Sequence, residues 1–207
     1  TPAPLGPYLK QNFPEIENAT RTSEAQLLFQ YEDLKFNELG YIVDPSFFEM
    51  FSLHIVKGDQ KKLLSNLDNI VISENLAKKY FYEANPLGEV FRINNTDFAV
   101  TGVFRDFPEH SHMKFDYILP FEVFVKFGWD SLKSWNMNGY YTYAQLRKDA
   151  EVEKVNLKIK DVINKHVEES KTEIYLQPLS SIHLHSKFTA DIGGHGDIQY
   201  IYIFSAV

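Results

Sequence analysis

The densest group of side chains able to do chemistry lies near the end of the chain. His183 and His185 are two residues apart, so on a strand both imidazoles would face the same side, and His195 could supply a third nitrogen. Neutral imidazoles together with a carboxylate, here Asp191 or Asp197, are suitable ligands for zinc. A glycine pair precedes His195 and favours a flexible loop, and nothing in the spacing brings the imidazoles together. The pattern therefore favours a polar connecting segment, and we predict no metal site.

A second group surrounds Ser111, which has a histidine on each side. With His110 or His112 and either Asp106 or Asp116, a Ser-His-Asp set can be drawn. A catalytic triad is defined by its geometry and not by adjacency in sequence. Nothing places Ser111 on the sharp strand-to-helix turn that exposes a nucleophile. We therefore predict no catalytic residue in this group.

The glycine-rich stretch at residues 193–196 is the remaining motif that could bind a cofactor. No predicted strand leads into it, no predicted helix follows it, and it has no Gly-Lys-Ser or Gly-Lys-Thr sequence. A phosphate-binding loop needs all three features. The sequence therefore predicts no cofactor-binding residue in this domain.

Composition restricts the class of protein and its partners. The chain has 21 Lys and Arg against 28 Asp and Glu, a formal charge of −7, so its surface repels nucleic-acid phosphate and no nucleic-acid partner is expected. It is 44% hydrophobic and 15% aromatic, which suffices for a sizeable core and excludes a disordered chain. It has no cysteine, so disulfides, thiol nucleophiles and thiolate metal sites are absent.

The elements that must position these groups are predicted from apolar spacing and from capping and turn signals. Ser73 is expected to cap a helix, and Asp44 is expected to cap a shorter helix that begins with Pro45. Asn94-Asn95 is expected to form the turn of a hairpin. The predicted helices are residues 5–13, 44–51, 73–81, 120–127 and 152–163; the predicted strands are residues 25–34, 41–43, 70–72, 90–93, 98–104, 140–146 and 173–179. A short segment at residues 53–56 is expected to end at Gly58.

This order of elements predicts a two-lobed α+β fold. Residues 140–179 read as a strand, a helix and a strand, which is a β-α-β unit. We expect residues 1–60 and 140–207 to form the outer lobe. Residues 61–139 would be a smaller inserted α/β subdomain.

The last ten residues are almost wholly apolar. A helix needs about 20 residues to cross a bilayer. The run could be the first half of such a helix, with Tyr200, Tyr202 and Phe204 near the lipid headgroups, where aromatic rings are favoured. The same three residues also alternate with a period of two, as in a buried strand. Periodicity alone leaves both interpretations open.

Several segments, taken in order, resemble the MacB-like periplasmic core domain of ABC transporter permeases. Each is only a capped helix, a turn or a hairpin, but together they cover most of the chain at the expected separations. The segments are Asn12-Phe-Pro-Glu-Ile-Glu-Asn-Ala-Thr-Arg21, residues 41–53 with Lys57-Gly58-Asp59, residues 70–81 with Asn85-Pro-Leu-Gly88, and residues 98–104 with 106–112.

The resemblance implies a non-catalytic domain in the periplasm, between the first two of four helices of an inner-membrane permease with an FtsX-like membrane region. The outer lobe would be porter-like, and Tyr200, Tyr202 and Phe204 would be membrane-proximal. The permease would form a homodimer with an ATP-binding subunit or domain outside this chain, and would act in export or efflux by mechanotransmission. A periplasmic adaptor, a peptide or a lipoprotein cargo would be its further partners.

Two other classes of protein are weighed against the transporter. An extracytoplasmic ligand-sensing domain of a membrane receptor would also end in an apolar segment, but would continue into a cytoplasmic output domain. A secreted metal-dependent hydrolase would bind zinc at His183 and His185, which metal analysis and His183→Ala would reveal.

Overall fold

The computed structural model describes residues 1–107 and 114–181. Eight strands and five α-helices occupy this part of the chain, with short 3-10 helices at Asp130–Lys133, Ile163–Lys165 and Leu179–Ser181. In order they are α1 (Leu5–Asn12), β1 (Ile16–Tyr31), β2 (Leu34–Val43), α2 (Phe47–Met50), β3 (Ile55–Gly58), β4 (Asn69–Ser73), α3 (Glu74–Phe81), β5 (Val90–Ile93), β6 (Thr96–Phe104), β7 (Tyr117–Pro120), α4 (Val123–Lys126), β8 (Tyr141–Leu146) and α5 (Val152–Ile159).

All eight strands belong to one sheet, in the order β2-β7-β4-β6-β5-β1-β8, with β3 paired to β6. Strand β1 also pairs with β2, so six of the strands form a closed circuit of pairings. Most neighbours are antiparallel, but β2–β7 and β4–β6 are parallel. The 16-residue strand β1 connects the circuit to β8 because its first part pairs with β8 and its second part with β2.

Three clusters of buried apolar residues stabilise this arrangement. The largest includes Phe29, Phe91 and Phe98 from the sheet together with the apolar face of α3. A second lies around Phe47 and Phe104, and a third joins α1 and α5 to β8 and the first part of β1. Burial of these aliphatic and aromatic side chains favours folding.

Several predictions from the sequence are confirmed. The fold is mixed α+β. Helix α3 is capped as expected, because the Ser73 hydroxyl oxygen accepts a hydrogen bond from the Leu76 amide at 3.0 Å. Strands β5 and β6 form the expected hairpin, with Asn94 and Asn95 in the left-handed backbone region that tight turns require.

The predicted strand at residues 173–179 is wrong. These residues have no ladder partner among the described strands. Instead the Ile174 amide donates to the Lys160 carbonyl at 3.1 Å, and the Leu176 amide donates to Asn156 Oδ1 at 2.7 Å. The alternation of apolar residues therefore reflects packing of an extended segment against α5, because Ile174 and Leu176 both contact the third cluster.

The predicted cap at Asp44 is also wrong. Helix α2 begins after Ser46, and the Asp44 carboxylate accepts hydrogen bonds from Arg21 instead. The division into residues 1–60, 61–139 and 140–207 stays a prediction. Strand pairing does cross one of its boundaries, because β7 pairs with β2.

Candidate functional site at strand β8

Most of the residues that the sequence singled out for chemistry lie outside the described part of the chain; Asp106 and Asp116 are described, and their carboxylates accept hydrogen bonds from the Asn75 amide and the Ser73 hydroxyl. Those outside it include the three candidate metal ligands and the three membrane-proximal aromatics, together with the segment around Ser111. Their roles therefore stay predictions: His183, His185, His195, Tyr200, Tyr202, Phe204 and residues 108–113. Within residues 1–107 and 114–181, no group of three or more His, Asp or Glu side chains could hold a metal ion.

Strand β8 is instead the place where distant parts of the chain meet. It lies at one end of the strand order and, among the described strands, pairs only with β1. The first residue is attached beside it: the Thr1 nitrogen donates to the Tyr140 carbonyl at 2.7 Å, and the Thr1 and Thr142 hydroxyls lie 2.7 Å apart. A bridge between Pro2 and Asn138 continues this contact.

The extended segment after α5 reaches the same region. Besides its two hydrogen bonds to α5, it carries an ion pair between Glu173 and Lys160 at 2.9 Å. Residues Tyr175 to Gln177 then line a cavity together with Thr1 and Thr142. The first and last described segments of the chain therefore lie side by side at β8.

The larger cavity here has a volume of about 620 Å³ and lies between β8 and residues 175–179. Its floor includes Phe51 and Tyr143, whose rings meet edge to face with centroids 5.1 Å apart. Tyr175 and Leu179 are partly exposed at its rim. The described lining holds no Asp, Glu, Lys, Arg or His side chain, and its mainly apolar and aromatic surface suits apolar and aromatic groups.

Next to this region, a buried ion pair ties β1 to β2. Arg21 Nη2 lies 2.6 Å from Asp44 Oδ1, and Arg21 Nε donates to Asp44 Oδ2 at 2.9 Å. The guanidinium also lies over the Phe121 ring, 3.8 Å from its centroid, and 3.4 Å from Glu122. An aspartate before a proline also fits a helix cap, so the local sequence does not reveal the ion pair of Asp44.

A second buried carboxylate, Glu38, links β2 to α3. Its Oε1 accepts from Lys79 Nζ at 2.6 Å and from the Tyr80 hydroxyl at 2.7 Å. Burial and this hydrogen bond raise the pKa of Tyr80 far above its ordinary value, so the phenol stays protonated and donates. Burial likewise raises the pKa of Tyr41 to about 12. Neither phenol is poised to exchange a proton near neutral pH.

Comparison with known proteins identifies the class of domain to which this chain belongs. The model of the MacB-like periplasmic core domain family matches residues 1–162. The chain belongs to this family of periplasmic domains. No curated protein matches it, and no helix in the described residues is long and apolar enough to cross a membrane.

Solved structures share the fold. A domain of a putative permease protein from Porphyromonas gingivalis superposes with a TM-score of 0.73 at 23% identity, covering 96% of this chain and 88% of that one. The periplasmic region of MacB from Actinobacillus actinomycetemcomitans gives 0.60 at 16% identity over 78% and 72% of the two chains. The extracellular domain of the noncanonic ABC-type transporter YknZ from Gram-positive bacteria gives 0.62 at 15% identity over 82% and 85%.

Proposed function

We propose that this chain is the periplasmic domain of an inner-membrane ABC transporter permease, and that it couples ATP-driven movement in the cytoplasm to export at the periplasmic side. Family membership supports the permease, and the solved relatives include domains of a permease and of an ABC-type transporter. The observation that carries the coupling role is the meeting of the first and last described segments at β8. A domain inserted between two membrane helices needs its two connections on one side.

The contacts define a path for the movement. Displacement of either connection would act first on β8, because the Thr1 hydroxyl contacts that of Thr142 and residues 175–177 line a cavity with Thr142 and Ala144 of the same strand. Strand β8 is paired with β1 over Ile16 to Thr22, and β1 continues without a break into its ladder with β2. The Arg21–Asp44 pair lies where the two ladders meet. A pull on the connections would therefore move the sheet as one body.

The partners follow from this role. ATP would bind to a separate subunit or domain, and two permease copies would act together. The domain itself would hydrolyse nothing and hold no cofactor. The cavity at β8 is lined by apolar and aromatic groups, which fits contact with a peptide or lipoprotein cargo or with a periplasmic adaptor better than contact with a nucleic acid.

One labelled residue tests both the periplasmic location of the domain and its coupling to ATP in the cytoplasm. Leu157 on α5 is 77% exposed, and the chain has no cysteine, so Leu157→Cys gives a unique reactive site in this domain. In right-side-out vesicles containing the full-length permease and its ATPase, an impermeant maleimide added outside should label this cysteine. Loading the lumen with ATP in place of ADP should change the labelling rate.

The matched control is the same vesicle preparation with an ATPase subunit that binds no nucleotide, in which the rate should not respond to ATP. Failure of the external reagent to label Leu157→Cys would contradict the periplasmic location. Labelling at the same rate with ATP and ADP would contradict the coupling.

A further inference from the structure

Strand β1 has a gap in its pairing. One side of β1 pairs with β2 continuously from Thr22 to Tyr31. The other side pairs with β8 only as far as Thr22, and with β5 only at Phe29 and Gln30. Among the described residues, no strand pairs with residues 23–28 on that side, so the sheet is interrupted over about 20 Å.

The backbone groups that face this gap can be assigned from the pleat. The Arg21 carbonyl accepts from the Asp44 amide at 3.2 Å, so the backbone N–H and C=O groups of the odd-numbered residues of β1 point toward β2. The backbone groups of Leu28 point to the other side, since its carbonyl accepts from the Asn94 amide at 3.3 Å. Glu24 and Gln26 are also even-numbered, so their backbone groups point the same way as those of Leu28. Both residues therefore aim an amide and a carbonyl into the gap. Among the described residues, the partner found for these groups is the Ser23 hydroxyl, which donates to the Glu24 carbonyl at 3.4 Å.

A cleft with both polar and apolar walls opens beside these groups. It has a volume of about 470 Å³, and its walls include Leu27, Phe124 and Trp129. The Trp129 ring stacks on Phe124 with centroids 5.0 Å apart and is still 53% exposed. Ala25 and Leu27 turn their side chains toward the cleft, because both contact the largest core cluster. A large aromatic surface left open beside unpaired backbone is typical of a binding site.

The charges around the gap indicate which kind of side chain would be favoured there. The Glu24 side chain lies on the face of β1 opposite Ala25 and is exposed. The nearby cation Lys126 is already paired with Asp68, and the chain carries a net charge of −7. A residue placed directly across from Glu24 would therefore bind more tightly if its own side chain were positively charged, because the Glu24 carboxylate would attract it.

We propose that this gap binds an extended peptide segment of a partner protein, which adds to β1 as an antiparallel strand between β8 and β5. Strands β8 and β5 are both antiparallel to β1, so such a segment continues the sheet. It forms four backbone hydrogen bonds with Glu24 and Gln26, places an apolar side chain opposite Ala25 in the cleft, and places a basic side chain opposite Glu24. This site is separate from the cavity at β8 and does not depend on the coupling role.

The test uses the 207-residue chain and labelled hexapeptides. The probe is acetyl-Ser-Thr-Phe-Lys-Val-Ser-amide, in which Phe lies opposite Ala25 and Lys opposite Glu24. Fluorescence polarisation should detect saturable binding. Methylation of the backbone nitrogen of the peptide Lys removes a hydrogen-bond donor, so the methylated peptide should bind at least about ten-fold more weakly. Gln26→Pro removes a donor on the gap side alone, so it should weaken binding similarly while circular dichroism is unchanged.

A charge reversal gives a readout that loss of folding cannot imitate. Glu24→Lys should reverse the preference, so that the peptide with Glu in place of Lys binds more tightly than the Lys peptide. Binding that is insensitive to N-methylation and to Gln26→Pro would overturn the proposal, as would absence of binding at millimolar peptide. Self-association of the chain that Gln26→Pro abolishes would assign the gap to a second copy and would also overturn it.

Discussion

At the scale of single residues, a buried ion pair lies where two ladders of the sheet meet. The Arg21 side chain is 10% exposed and the Asp44 side chain 14% exposed, so each charge depends on the other for compensation. The guanidinium additionally bonds to the Ala3 carbonyl at 3.3 Å. One side chain thereby joins the segment before α1, strand β1 and the end of β2.

Asp44→Asn should lower the free energy of unfolding by roughly 3 kcal/mol, because it leaves the Arg21 charge buried without its partner. The matched control is Asp97→Asn, which breaks the exposed pair with Arg92. That change should cost less than about 1 kcal/mol. Urea unfolding followed by circular dichroism measures both values, and equal losses in the two variants would contradict the role given to Arg21.

At this scale the sequence predicts what depends on neighbours along the chain. The Ser73 cap needs only an amide three residues later, so it was predicted correctly. Asp44 satisfies the same local rule, yet its carboxylate bonds to a residue 23 positions earlier. Local spacing holds no information about such a partner.

At the scale of elements, close contact between strands fixes how β2 and β7 align. The Tyr117 ring lies directly over Gly40, and the Tyr117 hydroxyl donates to the Ala25 carbonyl at 2.7 Å. A methyl group at position 40 would lie 2.4 Å from the ring. Glycine is therefore required here by the neighbouring side chain, and not by its own backbone conformation.

Gly40→Ala should destabilise the fold by about 1–3 kcal/mol, because the Tyr117 ring must move and its hydrogen bond weakens. Gly139→Ala is the matched control, since nothing lies within 4 Å of a methyl group there. Thermal unfolding should show a lower Tm only for the first variant. A Tm for Gly40→Ala equal to that of Gly139→Ala would contradict the contact.

The elements themselves were predictable where a turn or cap marks them. The β5–β6 hairpin has an Asn-Asn turn and was predicted within two residues. Strands β1 and β2 are longer than predicted, because polar residues such as Glu38 are buried in β2 through partners on α3. Residues 173–179 alternate as a strand does but pack on α5, so periodicity identified the buried side without identifying the partner.

At the scale of the whole molecule, the order of strands in the sheet is not deducible from local patterns. Strand β7 has four buried residues and inserts between β2 and β4, parallel to one and antiparallel to the other. Its position depends on contacts with strands more than 40 residues away in sequence. The resulting circuit of pairings connects the three core clusters through β1 and β2.

This connection predicts a single cooperative unfolding transition. The chain has two tryptophans: Trp129 stacks on Phe124, whereas Trp135 stacks on His166 with centroids 3.9 Å apart. Trp135→Phe keeps only Trp129, and Trp129→Phe keeps only Trp135, so the fluorescence of each variant reports on the region around one tryptophan. Each variant's fluorescence transition should coincide with its own transition by circular dichroism. A fluorescence midpoint that differs from the circular dichroism midpoint would show that the two regions unfold independently.

The most direct test of the proposed coupling role is the distance between the two copies of this domain in the proposed permease homodimer. Spin labels on Leu157→Cys in the full-length homodimer, measured by pulsed electron resonance, report this distance with and without trapped ATP. If the domain moves with the membrane helices, trapped ATP shifts the distribution to a new maximum, and the isolated chain shows no response to ATP. Superimposable distributions in a permease whose ATPase is active would contradict the account.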